Sequence, residues 1–245
     1  MKDFDVRRVI EKYYLIAELK NKIRSGWLVW NVSKERLETV AEHVFAVMHL
    51  AELLHSESGI DVDINKVREM LLWHETEEIF IPDYTPYDSN ISREEWLRQG
   101  KDAARKILKD LEIGPEKIAL IDEFDAHETP EAKFAFLCDK FECSLQIKRY
   151  SDAGCCTIEG GSDKPKNDPE VKMHIANGAQ TVADIFLAHE APKYAGTIFE
   201  SLADFLKGYD ATTVHRVVTT KQLPEESSTV LNDIVEFFET HETLK

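Results

Sequence analysis

Apolar residues recur three and four positions apart through almost the whole chain, and most runs are bounded by helix start or stop signals. From Val6 to Lys22, Val9, Ile10, Tyr13, Ile16 and Leu19 fall on one face. The stretch from Ser25 to Lys34 breaks the pattern, and a second helix follows from near Glu38 to Ser56. Asp63 or Asn65 caps a third, carried by Val67, Met70 and Leu71 and extending to Ile79. Pro82 and Pro86 break it and open a polar loop to about Ile91. Ser92 starts a helix to about Leu111, with Glu95 at the capping-box position. Gly114-Pro115 begins another, to about Ala126, and Thr129-Pro130-Glu131 one to about Tyr150. Residues 151–168 read as a linker or functional loop, and Asp168-Pro169 opens a helix to about His189. Weaker helical segments lie near Tyr194–Lys207 and Glu225–Thr240. The expected fold is all-α.

Composition supports that reading. Glycine and proline number 10 and 8, few for a β-protein built on tight turns. With 30 basic and 46 acidic residues the net charge is −16, which argues against coating nucleic-acid polymers or anionic membranes. An anionic small molecule is still compatible, because one local cation can hold a phosphate. The opening Met1-Lys2-Asp3-Phe4-Asp5 is not a signal sequence and no segment has membrane-spanning length, so the expected location is cytoplasmic. Four cysteines form neither a disulfide framework nor a zinc motif; Cys138 reads as core, and Cys155-Cys156 receives no role.

His74-Glu75-Thr76-Glu77-Glu78 is the densest group of ligand-capable side chains, directly after the apolar Met70-Leu71-Leu72-Trp73. Acceptors in that position are costly unless a cation, a donor or water meets them. A helix emerging into solvent would explain one such His–Glu pair. Two other sites count against so plain an explanation: His43 sits in Val40-Ala41-Glu42-His43-Val44-Phe45, and Asp139 in Phe136-Leu137-Cys138-Asp139-Lys140-Phe141. Each alone fits a core histidine or a lysine-paired aspartate. Together, three helices each place a metal-competent group among apolar neighbours, as metal sites in helical proteins do. A ferritin-like di-iron bundle is excluded, because Glu52-Leu53-Leu54-His55 has no second Glu-x-x-His partner. His127, His174, His189, His215 and His241 are assigned to helix ends or surfaces.

His43, then His74 with an acidic neighbour, then Asp139 resembles the H…HD…D signature of HD-domain metal-dependent phosphohydrolases. Arg24-Ser25-Gly26-Trp27, Asn31-Val32 and Glu38-Thr39-Val40-Ala41-Glu42-His43 resemble the R-x-G-W…N-V…E-S-V-(A/S)-(E/D)-H opening of the 5'-deoxynucleotidase-like subfamily. Glu78 and Asp83 are similar to its H-D-x-x-E-x4-D segment. Thr129-Pro130-Glu131-Ala132-Lys133-Phe134 and Asp139-Lys140-Phe141-Glu142 resemble its T-P-E-A-K-F…D-K-x-E block. The likeness spans about residues 5–150 and is absent from 151–245. One departure stands out: Glu75 occupies the place of the family's aspartate and carries one more methylene.

The resemblance implies a helical HD-domain bundle over 1–150 and is compatible with a homodimer, while the residues themselves read as a linker at 151–168 and a helical extension over 169–245 packed on that core or on a partner subunit. It implies one divalent ion held by His43, His74, Glu75 and Asp139, with Mn, Co, Fe, Zn and Mg all compatible. Glu78 and Asp83 would then be the catalytic acids, with Glu77 the local competitor of Glu78. Arg24 would take the substrate phosphate and Trp27 the sugar or base. The implied activity is hydrolysis of nucleoside 5'-monophosphates, deoxynucleotides foremost. Two alternatives follow from Glu75 and from the breadth of the family: a catalytically silent protein binding nucleotide or a partner, or hydrolysis of another phosphate ester.

Overall fold

A computed structural model describes residues 5–85, 87 and 91–241, so Pro86 of the predicted helix break lies outside the described residues. Among the described residues thirteen α-helices run in the order α1 (Val6–Ala17), α2 (Ser25–Val29), α3 (Val40–Ser58), α4 (Ile64–Trp73), α5 (Arg93–Leu108), α6 (Gly114–Ala126), α7 (Pro130–Asp152), α8 (Asp163–Asn167), α9 (Pro169–Ala176), α10 (Val182–Tyr194), α11 (Ile198–Gly208), α12 (Thr213–Thr220) and α13 (Thr229–Thr240). No strand occurs among the described residues, where Ile23 and Thr39 form one isolated bridge. The fold is all-α, as expected.

The capping residues act as the sequence suggests. Asp63 accepts from the backbone N–H groups of Asn65 and Lys66, Ser92 from Glu95, Thr129 from Ala132, and Asp168 from Glu170 and Val171. Thr39 and Glu42 form a reciprocal capping box at the start of α3. Gly59, with φ of 66°, ends that helix in the left-handed conformation glycine adopts without strain.

The main core joins α3, α4 and α7 through Val47, Ala51, Met70, Leu71, Ala135 and Phe141, and Leu187, Tyr194 and Phe199 of α10 and α11 belong to the same cluster. A second cluster packs Trp27 and Trp30 against Tyr150, Val182 and Ile185. Residues 151–168 lie against it: Ser33 donates to the Cys155 carbonyl, Ser162 N–H donates to the Val29 carbonyl, and Ile158 packs against the cluster. A Cβ at Gly161 would stand 2.9 Å from Trp30 Cε3, so this close approach needs a glycine.

Several boundaries differ from the sequence reading. The third predicted helix ends at Trp73 instead of Ile79; His74 is its C-cap, and Thr76–Ile79 form a 3₁₀ turn. The Thr76 hydroxyl donates to the Trp73 carbonyl at 2.7 Å, satisfying one of the acceptors a helix end leaves open. The predicted 169–189 helix divides into α9 and α10, because Gly178 turns the chain at φ of 105°. Ser25–Val29 is helical instead of irregular, and α12 was not anticipated.

Candidate functional site

Three helices and one turn converge on a buried polar centre. His43 comes from the first turn of α3, His74 and Glu75 from the end of α4, and Asp139 from the middle of α7. One ligand-capable atom from each lies within 4.8 Å of those of the other three, and all four residues are buried. His43 Nε2 is 3.0 Å from Asp139 Oδ1 and 3.6 Å from Glu75 Oε1. His74 Nε2 stands 3.5 Å from Glu75 Oε1 and 3.9 Å from Asp139 Oδ1.

The histidine orientations follow from their other nitrogens. His74 Nδ1–H donates to the Leu71 carbonyl at 2.7 Å, which turns the Nε2 lone pair toward the carboxylates. That Nε2 is buried with no hydrogen-bond partner. His43 Nδ1 pairs with Glu142 Oε2 at 2.6 Å, a carboxylate–histidine arrangement of the kind that orients metal ligands. Two imidazoles, two carboxylates and one orphaned nitrogen fit a divalent first-row ion. Burial pushes Glu75 up, yet His74, Arg24 and His43 outweigh it and hold the carboxyl at about 2. Asp139 is likewise held well below the ordinary range, burial being outweighed by Lys140 and the two histidines.

The 3₁₀ turn aligns the next acid. In such a turn residues three apart eclipse one another, so Glu78 comes round to the side of Glu75. Arg24, at the N-cap of α2, links this set: its guanidinium lies 2.7 Å from Glu75, 3.5 Å from Asp83 and 3.8 Å from Glu78. Asp83 is fixed by the Ser25 backbone N–H at 2.9 Å. Burial, then repulsion from Glu75 and Asp83, push Glu78 well up against the opposing pull of Arg24. Glu77 is also buried, and its side chain lies where a Cβ on Gly100 of α5 would meet it.

Trp27 stands one step back. Only 2% exposed, it donates its indole N–H to Glu38 at 3.0 Å and packs on Tyr150 and Phe186. Burial and then Glu142 raise Glu38 to about 7. The metal-competent group opens on a cavity of about 130 Å³. Beside it lies a larger one of about 620 Å³, lined by Arg24, Trp27, Asp83, Tyr87, Lys140 and Phe186 together with residues of α9 and α10. Cys138 is fully buried with its thiol pushed up by burial, in keeping with a core position.

Sequence reasoning left Glu142 without a role, although it lies three residues after Asp139 and so on the same face of α7. The lysine pairing that the sequence allows for Asp139 is present as well: the Lys140 ammonium meets Asp139 Oδ2 at 2.7 Å, beside the histidines.

A family model described as HD domain matches residues 16–165. A Dictyostelium discoideum protein named 5'-deoxynucleotidase HDDC2 is 31% identical over 148 residues, covering 58% of this chain and 76% of that protein. A Schizosaccharomyces pombe protein named 5'-deoxynucleotidase hdd1 is 32% identical over 143 residues, covering 55% of this chain and 68% of its own length. Among solved structures, a predicted metal-dependent phosphohydrolase from Magnetospirillum magnetotacticum aligns with a TM-score of 0.55 at 22% identity, over 88% of this chain and 96% of that one. An HD-domain phosphohydrolase from Listeria innocua aligns at 0.53 and 18% identity, over 87% and 99%. These structures share the fold.

Proposed function

Because the chain belongs to the HD-domain family, we propose that it is a metal-dependent phosphomonoesterase releasing phosphate from nucleoside 5'-monophosphates, deoxynucleotides foremost. The observation that carries this reading is the orphaned His74 Nε2 among His43, Glu75 and Asp139, with the Arg24 guanidinium 2.7 Å from Glu75. His43, His74, Glu75 and Asp139 would hold the ion, and Mn, Co, Fe, Zn and Mg all suit this nitrogen and oxygen set. A divalent ion there supplies Lewis-acid polarisation of a phosphoryl oxygen and lowers the pKa of nearby water.

The protein's own groups do the rest. Arg24 would hold the phosphate through its planar fork, between the ligand set and Asp83. Glu78, screened from bulk water, would move the proton between attacking water and the departing 5'-oxygen as the phosphorus–oxygen bond breaks. Asp83, steadied by Ser25, would share that transfer or position the sugar. Trp27, Tyr87 and Phe186 give the larger cavity aromatic walls suited to a nucleoside. No helix among the described residues is long and apolar enough to cross a membrane. With a net charge of −16, the substrate we infer is a free nucleotide in the cytoplasm and not a polymer.

Phosphate release from deoxynucleoside and nucleoside monophosphates, measured with Mn²⁺, Co²⁺ and Mg²⁺, tests the proposal. Turnover well above that of His74→Ala is expected; equal rates with every metal would refute it. The Arg24–Glu75 contact also favours a second reading, a silent nucleotide-binding protein whose Glu75 is held by arginine. That reading predicts nucleotide-induced thermal stabilisation without turnover.

A further inference from the structure

The helices beyond the family match bring a second set of metal-competent side chains together. Glu170 and His174 stand one turn apart on α9, and His189 comes from α10. The sequence reading assigned both histidines to helix ends or surfaces. His174 is instead only 9% exposed, and its Nε2 is buried with no hydrogen-bond partner. Glu170 Oε1 lies 2.8 Å from His189 Nδ1 and 3.5 Å from His174 Nε2. One ligand-capable atom from each of the three residues falls within 4.8 Å of the others.

Local structure holds this arrangement. Asp168 caps α9 through the backbone N–H groups of Glu170 and Val171. Gly178 reverses the chain, and the Thr181–Asp184 capping box starts α10 so that it packs against α9. A four-coordinate zinc ion with bonds of about 2.0–2.1 Å spaces its ligand atoms roughly 3.3 Å apart, between the two separations seen here. An ordinary ion pair accounts for Glu170 and His189 but leaves the His174 nitrogen 3.5 Å from the same carboxylate oxygen, without a hydrogen-bond partner.

We propose that Glu170, His174 and His189 bind a second divalent ion of the zinc type, separate from the ion held by His43, His74, Glu75 and Asp139. Two imidazoles and one carboxylate are the donor set of three-ligand zinc sites, which keep a fourth position open. A further carboxylate, Glu190, stands 3.6 Å from His189 Nε2 and is engaged by Lys193 at 2.8 Å. The three ligands line the cavity of about 620 Å³ that also reaches Arg24 and Asp83. The open position therefore meets the space beside the inferred phosphate site, where it takes a nitrogen or oxygen donor of the bound molecule.

The test uses the full chain, stripped of metal and then dialysed against Zn²⁺ or Co²⁺. Wild type is expected to bind two equivalents. The double variant His43→Ala/His74→Ala is expected to keep one, with the intense d–d absorption of tetrahedral Co²⁺, and to melt at a higher temperature with Zn²⁺. Adding Glu170→Gln, at a half-exposed position, should weaken that remaining equivalent by about tenfold or more and abolish the zinc-induced melting shift. A folded double variant that binds no zinc, or zinc binding unchanged by Glu170→Gln, overturns the proposal. If the double variant does not fold, Glu170→Gln in the wild-type background decides: loss of one of two equivalents supports the site, and unchanged stoichiometry overturns it.

Discussion

Arg24 and Glu75 meet at 2.7 Å with both side chains about nine-tenths buried, so a fixed cation already contacts one carboxylate of the candidate metal centre. Removing the guanidinium takes away the cation that Glu75 and Asp83 share, leaving His74 and His43 alone to oppose the Glu75 charge. Breaking a buried pair from one side costs about 3–5 kcal/mol. Arg24→Met is therefore expected to lower the stability of the metal-free protein by about that amount, with excess Mn²⁺ restoring much of it. Chemical denaturation with and without Mn²⁺ checks this. A metal-free variant as stable as wild type would show that the pair is only incidental.

The His43–Glu142 contact, 2.6 Å long, sets which imidazole nitrogen faces the ligand set. Carboxylate partners of metal-bound histidines are worth about 10–100-fold in metal affinity. Glu142→Gln keeps the shape and weakens the acceptor, so Mn²⁺ affinity should fall within that range. Titration calorimetry reads it directly, and unchanged affinity would remove Glu142 from the centre.

Acidity follows from the same histidine. Burial and Arg24 push His43 down, but Glu142 and Asp139 prevail and bring it up to about 10, against an ordinary value of 6.5. For the metal-free protein the sign is clear: the stability this proton confers is complete below 6.5 and is lost as pH rises through about 10. Metal binding must displace the proton, so loading runs the other way. Apparent Mn²⁺ affinity of the folded protein should climb by about a decade per pH unit up to about 10 and level off above it. A flat profile over that window would mean that His43 is not a ligand.

Gly161 offers a test away from the centre. An alanine there would press on the ring of Trp30, which is fully buried and cannot swing aside. Overpacking of this kind costs about 1–3 kcal/mol. Gly161→Ala should melt measurably lower than wild type, and an unchanged melting temperature would show that residues 151–168 move freely off the aromatic cluster.

Legibility of the sequence was uneven, for physical reasons. Caps are local, so Asp63, Ser92, Thr129 and Asp168 announced their helices. His43, His74 and Asp139 stood out because a polar ligand inside an apolar run conflicts with burial. The break after Trp73 left no comparable signal: glutamates favour helix, and only the hydroxyl of Thr76 and the packing around it end α4. The α9–α10 division hung on Gly178, whose positive φ is set by the return of the chain. His174 read as surface because its burial arises from a helix pairing that no short window contains.

Matching by family stops at residue 165, yet Leu187, Tyr194 and Phe199 share one buried cluster with Met70, Ala135 and Phe141. Cutting the chain where the likeness ends would uncover greasy aromatic surface on the very helix that carries Asp139. The last third is thus a lid sewn to the vessel, and any shortened version has to keep α10 and α11.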